Sequence, residues 1–217
     1  MEAAHLSASQ RWLAWGLGLV ELVFCLVASV WLLFRPALFQ VYYPLLRVPA
    51  SRADAARVVE WIAGDEPQTA LQRSLTSGRM SERELNHFQD VRAVIQRAPG
   101  LLAMGTAALV AVVLFRPPKR VWRHAQKAGL VIWAVTGLGA VLLAAWDWRV
   151  LFAWLHQPFF GTTSWRLPNG CLSLQLYPER FWQFMAGCAA LCPACVLAAA
   201  CVALREREMR SGAGSPP

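Results

Sequence analysis

Leu13-Ala-Trp-Gly-Leu-Gly-Leu-Val-Glu21-Leu-Val-Phe-Cys25-Leu-Val-Ala-Ser-Val-Trp-Leu-Leu-Phe34 is a run of 22 residues broken by a single charge, Glu21. A helix rises ~1.5 Å per residue, so about 20 apolar residues cross the ~30 Å of hydrocarbon in a bilayer. The run has the length of a span. It exceeds the ~7–15 apolar residues of a signal-peptide core, and no small-x-small cleavage site follows it, so it is expected to stay as an anchor. Three other stretches read in the same way, at residues 98–115, 128–145 and 184–204. The second of the four spans is short, and a helix running in through Pro99 lengthens it.

The composition agrees. The chain has 217 residues, 57% hydrophobic and 16% charged, with a mean hydropathy of +0.38. These values argue against a disordered chain, a disulfide-rich mini-protein and an ordinary soluble domain. The net charge of +8 would suggest a polyanion partner if it were spread over a soluble surface. It is not spread. Arg116, Lys119, Arg120, Arg123 and Lys127 fall in the short loop 116–127, which holds no acid. Short basic loops stay in the cytoplasm. That places both termini inside and the loops 35–97 and 146–183 outside, with the bilayer and not nucleic acid as partner.

The expected fold is therefore an all-α membrane protein, a single integral membrane domain over residues 1–217. It has four transmembrane helices, N-in and C-in, and two extracytoplasmic loops forming a cap at the outer leaflet. This topology sorts the four histidines. His5 and His124 fall inside, whereas His87 and His156 fall outside.

The first outer loop opens with the apolar, aromatic stretch 36–43, which suits the membrane interface. A helix is expected from Ser51 to Ala63, stopped by Gly64-Asp65. A second starts at Ser81-Glu-Arg-Glu84, a capping box that satisfies backbone donors at a helix start, and runs on towards the second span. His87 shares a face of this helix with Glu84 and Asp90, three residues to either side. A carboxylate beside a histidine fixes its tautomer and supports it as a base; a solvated helical face has the same spacing. The second outer loop holds five of the 11 Trp residues, the residue type of the headgroup layer. His156 lies among them, and an aromatic belt with an incidental histidine reads the same way.

Cys192-Pro-Ala-Cys195, with Cys188 one turn earlier, has dithiol spacing. A membrane thiol oxidoreductase using Cys192 and Cys195 is one alternative, but such enzymes usually pair the dithiol with a second one in a loop, and Cys171 is alone there. Small buried residues in an Ala/Cys-rich helix explain the motif as well. A non-catalytic scaffold or sensor is another alternative. No zinc, nucleotide or nucleophile-elbow motif is found, so no metal or cofactor is expected. Glu21, ionisable within a span, is a functional candidate by default, although snorkelling accounts for it equally.

Two segments taken together resemble a known family. They are Ser81-Glu-Arg-Glu84-Leu-Asn-His87-Phe-Gln-Asp90-Val-Arg92 and Leu155-His156-Gln-Pro-Phe-Phe160-Gly-Thr-Thr-Ser164-Trp165, the latter followed by Leu176-Tyr-Pro-Glu-Arg-Phe-Trp182. The pattern is similar to the bacterial integral membrane family of the lipoprotein intramolecular transacylase (Lit). Phe88 stands where that family commonly has Met, and Tyr177 where it has Phe. The resemblance implies an acyltransferase with its active site on the outer side of the cytoplasmic membrane. Its substrate would be a diacylglyceryl lipoprotein whose sn-2 acyl chain moves to the α-amine of the N-terminal cysteine, leaving the lyso form. It implies His87 as the base, supported by Glu84 or Asp90, and His156 as the group that protonates the leaving oxygen or binds the oxyanion, or the two roles reversed, with Arg92, Ser164 and Trp165 nearby. Such acid–base partners require direct or one-water reach.

Overall fold

The computed structural model describes residues 6–115, 117–160 and 165–213, so that His5, Arg116 and Ser164 lie outside the described residues. The elements are α1 (Ala8–Leu33), α2 (Pro36–Tyr42), a 3-10 turn (Tyr43–Leu46), α3 (Arg52–Ala63), α4 (Gln68–Ser74), α5 (Glu82–Leu114), α6 (Lys119–His156), α7 (Leu172–Leu176) and α8 (Glu179–Ala213). Helices α1, α5, α6 and α8 are long and apolar enough to cross a membrane, and their apolar windows are mostly exposed. Water solvates such surfaces poorly and hydrocarbon solvates them well. The chain is a multi-pass membrane protein.

Local signals set the element ends. Ser51 caps α3 by accepting from the Asp54 backbone N–H at 3.2 Å, and Gly64 closes the helix. Helix α5 runs on through Pro99 and α8 through Pro193. Helix α6 does not stop at Ala145. It breaks at Asp147, where the backbone is extended (φ −154°, ψ 106°), and then resumes. The Asp147 carboxylate accepts from the Arg149 backbone N–H at 2.8 Å, which makes it the N-cap of a second helical piece, residues 148–156.

The chain forms two compact units. One comprises residues 1–27, 101–142 and 189–217; the other comprises 28–100 and 143–188. In the first, α1 and α6 cross backbone to backbone. A Cβ at Gly18 would collide with the Ala125 carbonyl oxygen and lie 2.7 Å from the Gly129 nitrogen. One turn away, Gln126 Nε2 donates to Glu21 Oε2 at 2.6 Å. Glu21 is therefore tied to a neighbouring helix, an arrangement in which interhelical hydrogen bonding substitutes for water.

The second unit has its own core, built on Phe39, Tyr43, Val58, Ile62, Leu71, Phe88, Leu176 and Phe181. Full burial of each such side chain stabilises by roughly 1.5–3 kcal/mol. Its tyrosines also join distant segments: the Tyr43 hydroxyl donates to the Leu176 carbonyl and the Tyr177 hydroxyl to the Ala55 carbonyl, each at 2.6 Å. Burial pushes the Tyr43 hydroxyl up to about 12 and Tyr177 well above its ordinary value, so both stay donors. Asp54, 1% exposed, accepts from the Thr76 and Ser77 backbone N–H groups at 2.9 and 2.6 Å. Burial alone would raise its pKa, but the hydrogen bonds from Ser77 and Thr76 outweigh it and hold the carboxyl below its ordinary value.

Candidate active site

The site lies in the second unit and is built from the start of α5. Ser81 donates to Glu84 Oε2 through its backbone N–H at 2.7 Å and its hydroxyl at 2.8 Å. The Ser81 hydroxyl accepts in turn from the Glu84 backbone N–H at 3.3 Å. Glu84 Oε1 accepts from the backbone N–H and the hydroxyl of Ser173, both at 2.7 Å. One buried carboxylate thus ties together the N-terminal ends of α5 and α7, where negative charge is favoured by the helix dipoles. Cys171, the N-cap of α7, is close by. Burial first, and the Glu84 charge in addition, push its thiol up, which keeps it from acting as a thiolate.

His87 follows Glu84 by one turn and is 5% exposed. Its Nδ1 is buried without a hydrogen-bond partner among the described residues. Its ring stands edge-on to Phe160, with centroids 5.3 Å apart. Both oxygens of Glu84 are taken up by the two serines. Asp90 lies one turn beyond His87 on the same face of α5, half-buried.

His156 ends the piece of α6 that Asp147 caps. The spacing 148, 152, 156 puts Trp148, Phe152 and His156 on one helical face. Phe152 stacks on the His156 ring, centroids 3.7 Å apart and planes 29° from parallel. His156 Nδ1 lies 2.9 Å from the Phe152 carbonyl oxygen. A carbonyl oxygen only accepts, so Nδ1 carries the proton and Nε2 is the unprotonated nitrogen of the neutral ring. Trp165 and Trp182 complete the surround, 5.5 and 6.2 Å away between ring centroids.

The His87 and His156 ring centroids are 6.3 Å apart, with planes 38° from parallel. Ring nitrogens sit about 1.2 Å from the centroid, so even the closest pair is beyond the ~3.2 Å limit of a direct hydrogen bond. The interval leaves room for a reacting group or a water between the rings. Beside the pair is a cavity of about 480 Å³, whose wall includes His87, Phe152, Trp165, Ser173, Tyr177 and Trp182.

The structure thus brings together His87, His156, Trp165 and, through Ser173, Glu84. Arg92 is elsewhere. Its guanidinium donates to the Glu66 and Gly64 carbonyls and stacks 4.5 Å over Trp61, clamping the end of α3. Ser164 lies outside the described residues. Ser173 and Phe152 are not among the residues named from sequence, and Phe160 and Trp182 stand there only within the segments that carry the family resemblance. The i, i+4 spacing of Phe152 and His156 behind an Asp cap is a signal for one of these contacts, the stacked Phe152 ring. Ser173 offered none, since its partner is 89 residues away. Among the described residues, no three His, Cys, Asp or Glu side chains converge as a metal site. Cys192 and Cys195 are exposed on α8, in the first unit, and unpaired as a disulfide.

The model of the family described as Lipoprotein intramolecular transacylase Lit matches residues 56–182, more than half of the chain and a stretch holding both His87 and His156. No curated protein and no solved structure matches.

Proposed function

The chain belongs to the lipoprotein intramolecular transacylase family, and from that premise we propose that it converts diacylglyceryl lipoproteins to the lyso form. The observation that carries the proposal is the pair of histidine rings, 6.3 Å apart, on two segments of the matched stretch. The basic loop 116–127 supports an orientation with both termini in the cytoplasm and the pair at the outer leaflet. The bilayer and the lipoprotein are then the partners.

The reaction moves one acyl group within one molecule. The α-amine of the lipidated cysteine attacks the sn-2 ester carbonyl, forming a C–N bond and a tetrahedral oxyanion. Collapse breaks the bond from carbonyl carbon to glyceryl oxygen. Nitrogen gives up one proton and the glyceryl oxygen gains one, so the reaction balances without a co-reactant. A free α-amine has a pKa near 7.7–8.0, and a useful fraction is already neutral at pH 7. Holding amine and ester in contact supplies much of the acceleration.

The two proton transfers fall to the histidines. His87 takes the proton from the attacking nitrogen. Burial lowers the pKa of both histidines, His87 to about 4, so both rings rest neutral. The proton that His87 takes passes through water to Nε2 of His156, which hands it to the leaving oxygen while the Phe152 carbonyl holds its Nδ1–H. Glu84 acts at one remove by fixing the start of α5, and the aromatic wall packs against the lipid.

The test is mass spectrometry of lipoprotein N-termini in cells that make no N-acyl lipoproteins, with and without this gene. Conversion of diacyl to lyso N-termini is the expected result. Unchanged diacyl N-termini in cells where the protein is present and folded would overturn the assignment.

A further inference from the structure

Two cations in the cavity wall have no role in the chemistry above. Arg149 and Arg166 both line the cavity and both are exposed. Arg166 stacks over Trp165, 5.0 Å from its ring centroid, and Trp165 in turn faces His156. That chain of contacts puts the Arg166 guanidinium at the periphery, beyond the reacting centre. No carboxylate is paired with either guanidinium among the described residues.

Arg149 is also badly placed for stability. It is the second residue after the Asp147 cap, in the first turn of a helical piece. The dipole there is positive and disfavours a cation. The other charged residue of the wall is accounted for. Glu179 stands in the first turn of α8, where a carboxylate is favoured, and accepts from Gln183 of the same helix at 2.8 Å. Glu179 is thus explained by its own helix, and the Asp147 carboxylate by the Arg149 backbone N–H that it caps, which leaves the two guanidinium groups as the charges of the wall able to meet an anion from outside the chain.

We propose that Arg149 and Arg166 form a cationic rim that recognises an acidic side chain in the peptide next to the lipidated cysteine. This rests on the transacylase reading, in which the lipids and the amine occupy the cavity and the peptide leaves across its edge. Binding energy from this remote part of the substrate holds the reacting groups in place. Exposed ion pairs contribute little individually, so the preference is modest, about threefold to fivefold in KM.

The experiment uses the full chain in phosphatidylcholine nanodiscs and three synthetic diacylglyceryl lipopeptides. These differ only in Asp, Asn or Lys after the cysteine. Conversion is followed by mass spectrometry and binding by fluorescence anisotropy of labelled peptides. Wild type is expected to favour Asp over Asn over Lys, in KM and in Kd. The R149Q/R166Q variant loses the discrimination, R149E/R166E inverts it, and R149K/R166K retains it. Equal KM values for the three peptides in wild type, with turnover intact, would overturn the rim and leave the transacylase reading standing. Graded binding without any turnover would support the rim and count against that reading. A third arm adds phosphatidylglycerol to the nanodiscs. If it abolishes the peptide discrimination at a few molecules per protein, the rim is a lipid headgroup site and the proposal fails.

Discussion

Glu84 and Ser173 meet through two hydrogen bonds of 2.7 Å to one carboxylate oxygen, joining segments 89 residues apart. The other oxygen closes the capping box with Ser81. Removing the carboxylate strands the backbone N–H and hydroxyl of two serines in a region where Glu84 is 3% exposed. Glu84→Ala is expected to destabilise the second unit by about 3 kcal/mol, as loss of buried charge-assisted bonds does. Glu84→Gln should fall between, because its one carbonyl oxygen satisfies only one end of the link. Thermal unfolding in detergent ranks the three proteins; equal melting temperatures would mean that the clamp is dispensable.

The histidine pair makes a sharper demand. General acid–base groups contribute roughly 10²–10⁴-fold each, and groups that act as a unit do not add. His87→Ala and His156→Ala should each lower conversion of a diacyl lipopeptide by that factor, and the double variant by little more than the worse single one. Phe152→Ala removes the ring stacked on His156 but keeps the backbone carbonyl that its Nδ1 faces. It should therefore lower conversion by less than His156→Ala does. Full conversion by both histidine variants would remove the acid–base mechanism.

Much of this architecture was legible in the residues. The four spans follow from apolar length, and Ser51, Gly64 and Ser81 mark helix ends that local hydrogen bonds then make. Arg92 shows what spacing alone still contained. It is five residues from His87, which at ~100° per residue turns it about 140° away from the His87 face, and it clamps α3 instead. Asp147 was readable as a cap, but flanking tryptophans give the signature of an interfacial loop, and composition outweighed the single capping residue. The remaining features are non-local. Glu21 finds Gln126 and Glu84 finds Ser173 across 105 and 89 residues, and no periodicity within one segment encodes a partner on another.

Asp54 carries a dependence on pH. Its folded-state pKa lies below the ordinary carboxyl value because hydrogen bonds from Ser77 and Thr76 outweigh the opposing effect of burial. Its contribution is fully present above the unfolded-state pKa near 3.9 and is lost as the pH falls through the folded value. Asp54→Asn should lower the melting temperature at pH 7 while flattening its fall between about pH 5 and pH 3. Parallel melting curves for the two proteins across that range would show that the carboxylate is not what the 76–77 turn senses.

The α1–α6 crossing tests the membrane part of the fold. Small residues at a helix interface let backbones approach, and van der Waals packing is what holds helices together where the surrounding lipid is as apolar as their side chains. A Cβ at Gly18 would meet the Ala125 carbonyl oxygen and the Gly129 nitrogen, both backbone atoms that cannot swing aside. Gly16, two residues earlier on the same helix, has nothing within 4 Å of a built Cβ. Gly18→Ala should therefore destabilise by about 1–3 kcal/mol, the range of overpacking. Gly16→Ala should be neutral or slightly stabilising, since alanine favours the helix. The Gly18 loss should appear together with weaker Glu21–Gln126 pairing one turn away, so that Gly18→Ala and Gln126→Ala combine to less than the sum of their separate effects. Additive effects of the two would show that the glycine contact and the hydrogen bond are independent.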